Sequence, residues 1–333
     1  MTLLEQRYRF VLRMLPASYR AERAEEMVDA YLDSAGEVPD EDNPRPSWRE
    51  VASVAALAVR TRAGGLGAAP RYRAMGDAVR LVALLGLGFH AVLGWYGLVG
   101  TLFSLGVVGS LPSEFVITDP AGQAWQLVSA ATDLVGIAAF ATLALGRVRA
   151  ARILTYVGLL FLGVTLAQEL FVWERPAVDE LSYLLVTAVP AVALLLGQHR
   201  DAPVRRSSLL AVLPLGLVVL YVAAGFGITR DLAFYTGAGL DWMAGWIDPH
   251  GLSAVATVVA GVVCLARKAP PAWSLALAVV AALLGVLRAP VRYDVEGVFT
   301  QPLVATWAGQ AAGLLLLAAA LAVVSVRALP RAT

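Results

Sequence analysis

His90, Asp133, Glu169, Arg288 and Gln310 are the residues whose type and setting could do chemistry, because each stands inside or at the edge of a long apolar run. Ionisable and amide side chains surrounded by hydrocarbon are costly to keep there, so they mark binding sites, ion paths or internal pairs. At 1.5 Å of rise per helical residue, His90 and Asp133 lie roughly ten residues in from opposite ends of two consecutive runs, near mid-bilayer. Gln310 reaches a similar depth in the last run, and Glu169 and Arg288 form a second depth-matched set nearer one surface. An imidazole beside a carboxylate offers it a hydrogen bond or a counter-charge. His90 and Asp133 are therefore expected to interact. The same spacing also fits pairs that only satisfy their own hydrogen bonds and hold helix register.

Nothing else in the chain carries a reaction. The patterns GxxxxGK[ST], HExxH and GxSxG are all missing. His90, His199 and His250 fall in different regions, and Cys264 is the single cysteine, so neither a disulfide nor a Cys-cluster metal site can form within the chain. No catalytic residue, metal or cofactor is expected, and the chain reads as a non-enzyme. A net charge of +1 supplies no field to draw in nucleic acid directly.

The elements that must position these residues are membrane helices. Only 15% of the 333 residues are charged and 59% are hydrophobic, against about 25% charged in soluble domains. Residues 1–75 hold 22 of the 51 charged groups, so composition divides the chain near residue 75. Beyond it we read about eight runs long enough for helical spans, with seven or nine as alternatives: 80–109, 124–146, 153–173, 180–197, 209–228, 250–266, 273–290 and 303–326. Eleven basic residues fall on one side of these runs, from Arg80 to Arg331, and four on the other: Arg175, Arg230, Arg288 and Arg292. That asymmetry predicts a multi-pass protein of the cytoplasmic membrane with both termini cytoplasmic. Asp119-Pro120, Arg175-Pro176, Asp248-Pro249 and Gln301-Pro302 each precede an even-numbered run, which suggests four repeated helical hairpins, although proline suits any first helical turn.

The polar N-terminus lacks the uninterrupted apolar stretch of a signal peptide and is expected to stay attached, in the cytosol. Leu4, Tyr8, Val11, Leu12 and Leu15 share one helical face ended by Pro16, and Tyr19, Met27, Val28, Tyr31 and Leu32 form the stripe of a second helix. "SWRE" (47–50) reads as a capping box, with Ser47 capping a third helix that runs to about Arg62 and Glu50 reaching back. The expected division is a helical head at 1–65, a linker at 66–79, the transmembrane bundle at 80–326 and a short tail at 327–333. The fold class is all-α: a polytopic helical bundle with a small cytoplasmic N-terminal helical domain. Arg7, Arg9, Arg13, Tyr19 and Tyr31 are the head's candidates for contact with a partner or with anionic lipid.

The stretches "RYRFVLRMLPASYRAERAEEMVDAYLD" (7–33) and "RPSWREVASVAALAVRTRAGG" (45–65) resemble the N-terminal segment of actinobacterial multi-pass membrane proteins of unassigned function. They are also similar to the HAAS-type signalling domain associated with PadR-family regulators, and to a prefix that precedes some ABC permeases. The resemblance implies coupling to a partner, a cytosolic regulatory protein or an ATPase subunit, and transfers no catalytic residue. Two functions follow as expectations: a regulatory or sensory membrane protein that signals through its head, or a transporter or permease-like subunit with a polar layer at the membrane midplane.

Overall fold

The computed structural model describes residues 1–36, 39–65, 67–107, 117–171, 177–198, 207–228, 241–289 and 301–329. Among these, every regular element is helical and there is no strand.

Among the described residues the head holds three α-helices, α1 (Leu3–Leu12), α2 (Ala17–Ala35) and α3 (Trp48–Arg62), with a short 3-10 turn at Asp40–Asp42 between the last two. Thr2 caps α1 by accepting from the Glu5 amide, and Ser47 caps α3 by accepting from the Glu50 amide at 3.2 Å. The expected apolar stripes meet: Tyr8, Leu12, Leu15, Val28, Val54 and Ala58 are buried together. Tyr8 and Tyr31 stack with ring centroids 4.0 Å apart. Two local expectations change. Pro16 stands at the N-cap of α2, while α1 already stops at Leu12 with Arg13 as its C-cap. Glu50 does not close a reciprocal capping box. Its carboxylate accepts from the Tyr8 hydroxyl at 3.1 Å, because that phenol is buried and needs an acceptor.

Eight longer helices carry the eight apolar runs: α4 (Pro70–Ser104), α5 (Pro120–Ala144), α6 (Val148–Phe171), α7 (Ala177–Gly197), α8 (Ser208–Ile228), α10 (Pro249–Ala266), α11 (Pro271–Leu287) and α12 (Gln301–Ala328). A seven-residue helix, α9 (Asp241–Ile247), precedes α10. Four of them, α4, α5, α10 and α12, are long and apolar enough to cross a membrane, and the apolar portions described in α7, α8 and α11 are shorter. Large apolar side chains face outward along α6 (Ile153, Leu160) and α8 (Leu209, Leu220), as a bundle surrounded by lipid requires.

Residues 70–79, expected within a linker, are the first turns of α4. Pro70 opens that helix, where its missing N–H costs nothing, and no further proline follows before the apolar run. With 35 residues α4 is roughly 50 Å long, against about 30 Å of hydrocarbon, so one end projects beyond the apolar layer. Asp119 and Asp248 cap α5 and α10 in the same way, each accepting from the amide three residues on ahead of a proline at the first turn. α12 starts at Gln301 with Pro302 next, while the Arg175-Pro176 pair lies outside the described residues.

α4 is the hub of the bundle, packed against α5, α7, α8 and α11, while α11 lies along α12. One core joins Val82, Ala83, Leu87 and Ala91 of α4 to Phe140 and Leu143 of α5, Ala151 of α6, Ala193 and Leu194 of α7, and Ala276 of α11. A second joins Val186 to Ala281, Leu284 and Leu287 of α11 and to Leu314 and Ala318 of α12. Alanine supplies half of the first core and shares the second with leucine, since small side chains bring helices close where lipid supplies no hydrophobic drive.

Candidate functional site

His90 on α4 and Asp133 on α5 line the same partly enclosed cavity, of about 230 Å³, between α4, α5, α6 and α7. They are not bonded to each other. The His90 Nε2 lies 3.2 Å from the carbonyl oxygen of Val186 on α7, and since a carbonyl only accepts, Nε2 carries the proton and donates. The carbonyl is free for a reason found four residues on. Position 190 would supply its helical N–H partner, and Pro190 has none. An imidazole from the neighbouring helix fills that gap, as buried backbone in a bilayer demands.

Among the described residues the Asp133 carboxylate has neither a hydrogen-bond donor nor an ion-pair partner. A Cβ at Gly97 of α4 would overlap one of its oxygens, so glycine there makes room for it. Thr155 of α6, 5% exposed, also lines the cavity, and its Oγ1 is buried without a partner among the described residues. Leu87, Val135, Ala139, Leu154, Leu159 and Leu162 supply apolar wall. The site therefore sets a carboxylate, a hydroxyl and an imidazole nitrogen in apolar surroundings.

Gln310 does not join this layer. Its Nε2 donates to the carbonyl of Gly245 at 2.8 Å, and the same carbonyl accepts from Arg288 at 2.9 Å. Arg288, 3% exposed at the C-cap of α11, also donates from one nitrogen to both carboxylate oxygens of Asp248, at 2.7 and 2.8 Å. Depth alone matches Arg288 with Glu169. Its partners are Asp248 and Gly245, and the side chain of Glu169 lies outside the described residues. This second cluster ties α9, α10, α11 and α12 together at one end. Arg288 Nε and Gln310 Oε1 remain buried without partners among the described residues.

In the head, the arginines expected to face a partner or lipid are largely engaged internally. Arg7 donates to the carbonyls of Asn43 and Pro44 and to the Asn43 side chain, fastening the stretch between α2 and α3. Arg9 holds Glu25 through two bonds at 2.6 and 2.7 Å and Glu5 at 3.1 Å, which draws the Glu25 carboxyl below its ordinary range. Arg13 is exposed, with its guanidinium over the Phe10 ring at 5.5 Å. Tyr19 and Tyr31 pack on the head's core. Burial, then the charge of Glu50, pushes the Tyr31 phenol up. Tyr8 rises well above the ordinary tyrosine range by burial and by the Glu50 charge and hydrogen bond.

A junction that the sequence did not reveal joins head to bundle. Arg80 of α4 donates to the carbonyl of Ala63, which ends α3, and to that of Gly197, which ends α7, at 3.5 and 3.3 Å. It also pairs with Asp77 at 2.7 Å. Gly76 lies against the Ala63 carbonyl so closely that a Cβ there would overlap it. Arg152 of α6 donates to the carbonyls of Leu195 and Gln198, so two arginines cap the same helix end. Arg80 and Arg152 were visible in the sequence as basic residues at the starts of apolar runs, but which helix end each would cap was not. Among the described residues no cluster of His, Cys, Asp and Glu could hold a metal ion. No protein-family model, curated protein or solved structure matches the chain.

Proposed function

We propose that the chain is a regulatory or sensory protein of the cytoplasmic membrane, with eight spans, both termini cytoplasmic, and a HAAS-like head that passes the state of the bundle to a cytosolic partner. The observation that carries this reading is the Arg80 bridge, in which one guanidinium bonds the end of the head and the end of α7. α7 also supplies the carbonyl that holds His90 and, through Thr187 and Ala191, part of the cavity wall. One helix thus links the cavity to the head, and a shift of α7 at the cavity displaces the head's anchor. A transporter or permease-like subunit served by a separate ATPase is the second reading, favoured by the carboxylate that faces the cavity.

The test uses the full chain in vesicles, with a fluorescent label on Glu22→Cys in the head. Filling the cavity by Gly136→Leu should change the label's environment, and adding Gly76→Val, which removes the close contact at Ala63, should abolish that response. Cysteines at Glu22 and Lys268 should be shielded from impermeant reagent outside whole cells, and one at Ala121 should react. A head that ignores the plug, together with solute or proton flux lost in Asp133→Asn, would transfer the assignment to transport.

A further inference from the structure

The cavity between α4, α5, α6 and α7 holds more unmet polar capacity than helix packing needs. At the other cluster the Arg288 guanidinium meets the Asp248 carboxylate directly, so each charge has its counter-charge. Here the Asp133 carboxylate has no donor, and Thr155 Oγ1 is buried with no partner among the described residues. His90 has committed its Nε2 proton to Val186, which in the neutral ring leaves Nδ1 as an acceptor. Among the described residues no lysine or arginine lines the cavity. Two acceptors and a hydroxyl therefore await a ligand that brings both donors and the missing positive charge. The apolar wall requires that the rest of the ligand be hydrocarbon. A cavity of about 230 Å³ equals about eight water volumes of roughly 30 Å³, which suits a single-ring or short-chain amine.

We propose that this cavity binds a small organic ammonium ion with an apolar body, its charged nitrogen on Asp133 and its remaining donors shared with Thr155 and His90. The charge of the ligand offsets the cost of a carboxylate facing apolar walls, and an uncharged analogue leaves that cost in place. The binding stands apart from the head's role: a sensor and a transporter would both need it. A failed head response leaves this proposal standing, and failed binding leaves the Arg80 junction standing.

The probes are benzylammonium, benzyl alcohol and benzoate at neutral pH, alike in shape and different in charge. Their binding to the purified full chain in lipid nanodiscs is measured by calorimetry. Benzylammonium should bind at least about tenfold more tightly than benzyl alcohol, and benzoate should not bind. Asp133→Asn should reduce benzylammonium to the level of the alcohol, and Thr155→Val should weaken it further. Because the asparagine variant could disturb folding, Gly136→Leu is the second arm: a Cβ at Gly136 meets no atom within 4 Å, so the longer side chain can enter the cavity. That variant should lose benzylammonium binding while its thermal midpoint stays unchanged. Equal affinity for all three probes, no binding of any, or undiminished binding in Gly136→Leu would overturn the proposal.

Discussion

His90 donates from Nε2 to the carbonyl of Val186, 3.2 Å away, the acceptor that Pro190 leaves without its own helix's N–H. Two residues that look unrelated in the sequence, a histidine and a proline 100 positions apart, thus solve one hydrogen-bond problem. In a lipid-surrounded bundle an orphaned carbonyl is a real cost, and an incoming side chain from the next helix removes it.

That relation predicts a rescue. His90→Leu leaves the Val186 carbonyl bare and should lower stability by about 1–3 kcal/mol. Pro190→Ala restores a helical N–H to that carbonyl, so the His90→Leu/Pro190→Ala double variant should recover part of the loss, although the Pro190 ring also packs on Gly86. Thermal unfolding in micelles reads the cycle, and strictly additive losses would sink this account.

The Arg288–Asp248 pair should behave as a unit. Arg288→Met removes the counter-charge of Asp248, which is 30% exposed and keeps the Gly251 amide, so the loss should be about 1–3 kcal/mol. Asp248→Asn keeps an oxygen to cap α10 through the Gly251 amide, yet leaves the Arg288 charge buried. The Arg288→Met/Asp248→Asn double variant should lose less than the two singles summed. Denaturation of the four proteins decides it, and a double as damaging as the sum would mean that the charges act separately.

The head should be sensitive to alkali. Burial and Glu50 raise the Tyr8 phenol above its reference value of 10.0, so its folded value exceeds its unfolded one. A group shifted that way contributes its full stability below the unfolded value and loses it as pH rises toward the folded value. Helical signal from the head should therefore fall above about pH 10, with tyrosinate absorbance appearing in step. Tyr8→Phe should cost about 1 kcal/mol at neutral pH through the lost bond to Glu50 and flatten the alkaline decline. An unchanged alkaline transition in that variant would show that Tyr8 is not the titrating group.

What could be read directly from the residues was local. Ser47 caps α3, Asp119 and Asp248 cap helices opened by proline, and the stripes of Tyr8, Leu12 and Val28 meet in a core. These features rest on neighbours within a few positions, where helix geometry leaves one answer. The bonds of Arg7 and Arg9 were not legible in this way, because the groups that engage them, on Asn43 and Glu25, come from other segments of the head.

Composition and periodicity alone show a helical, apolar chain whose charge gathers in its first helices. Which polar groups meet emerges from the packed bundle: Gln310 with Arg288 on Gly245, His90 with Val186, Asp133 and Thr155 on one cavity, and Arg80 between Ala63 and Gly197. The physical reason is that apolar periodicity gives a residue's height along its helix, one coordinate of three. The helix's rotation and its choice of neighbours are set by how small residues such as Ala83, Ala193 and Ala281 let particular pairs approach, a property of all the helices at once.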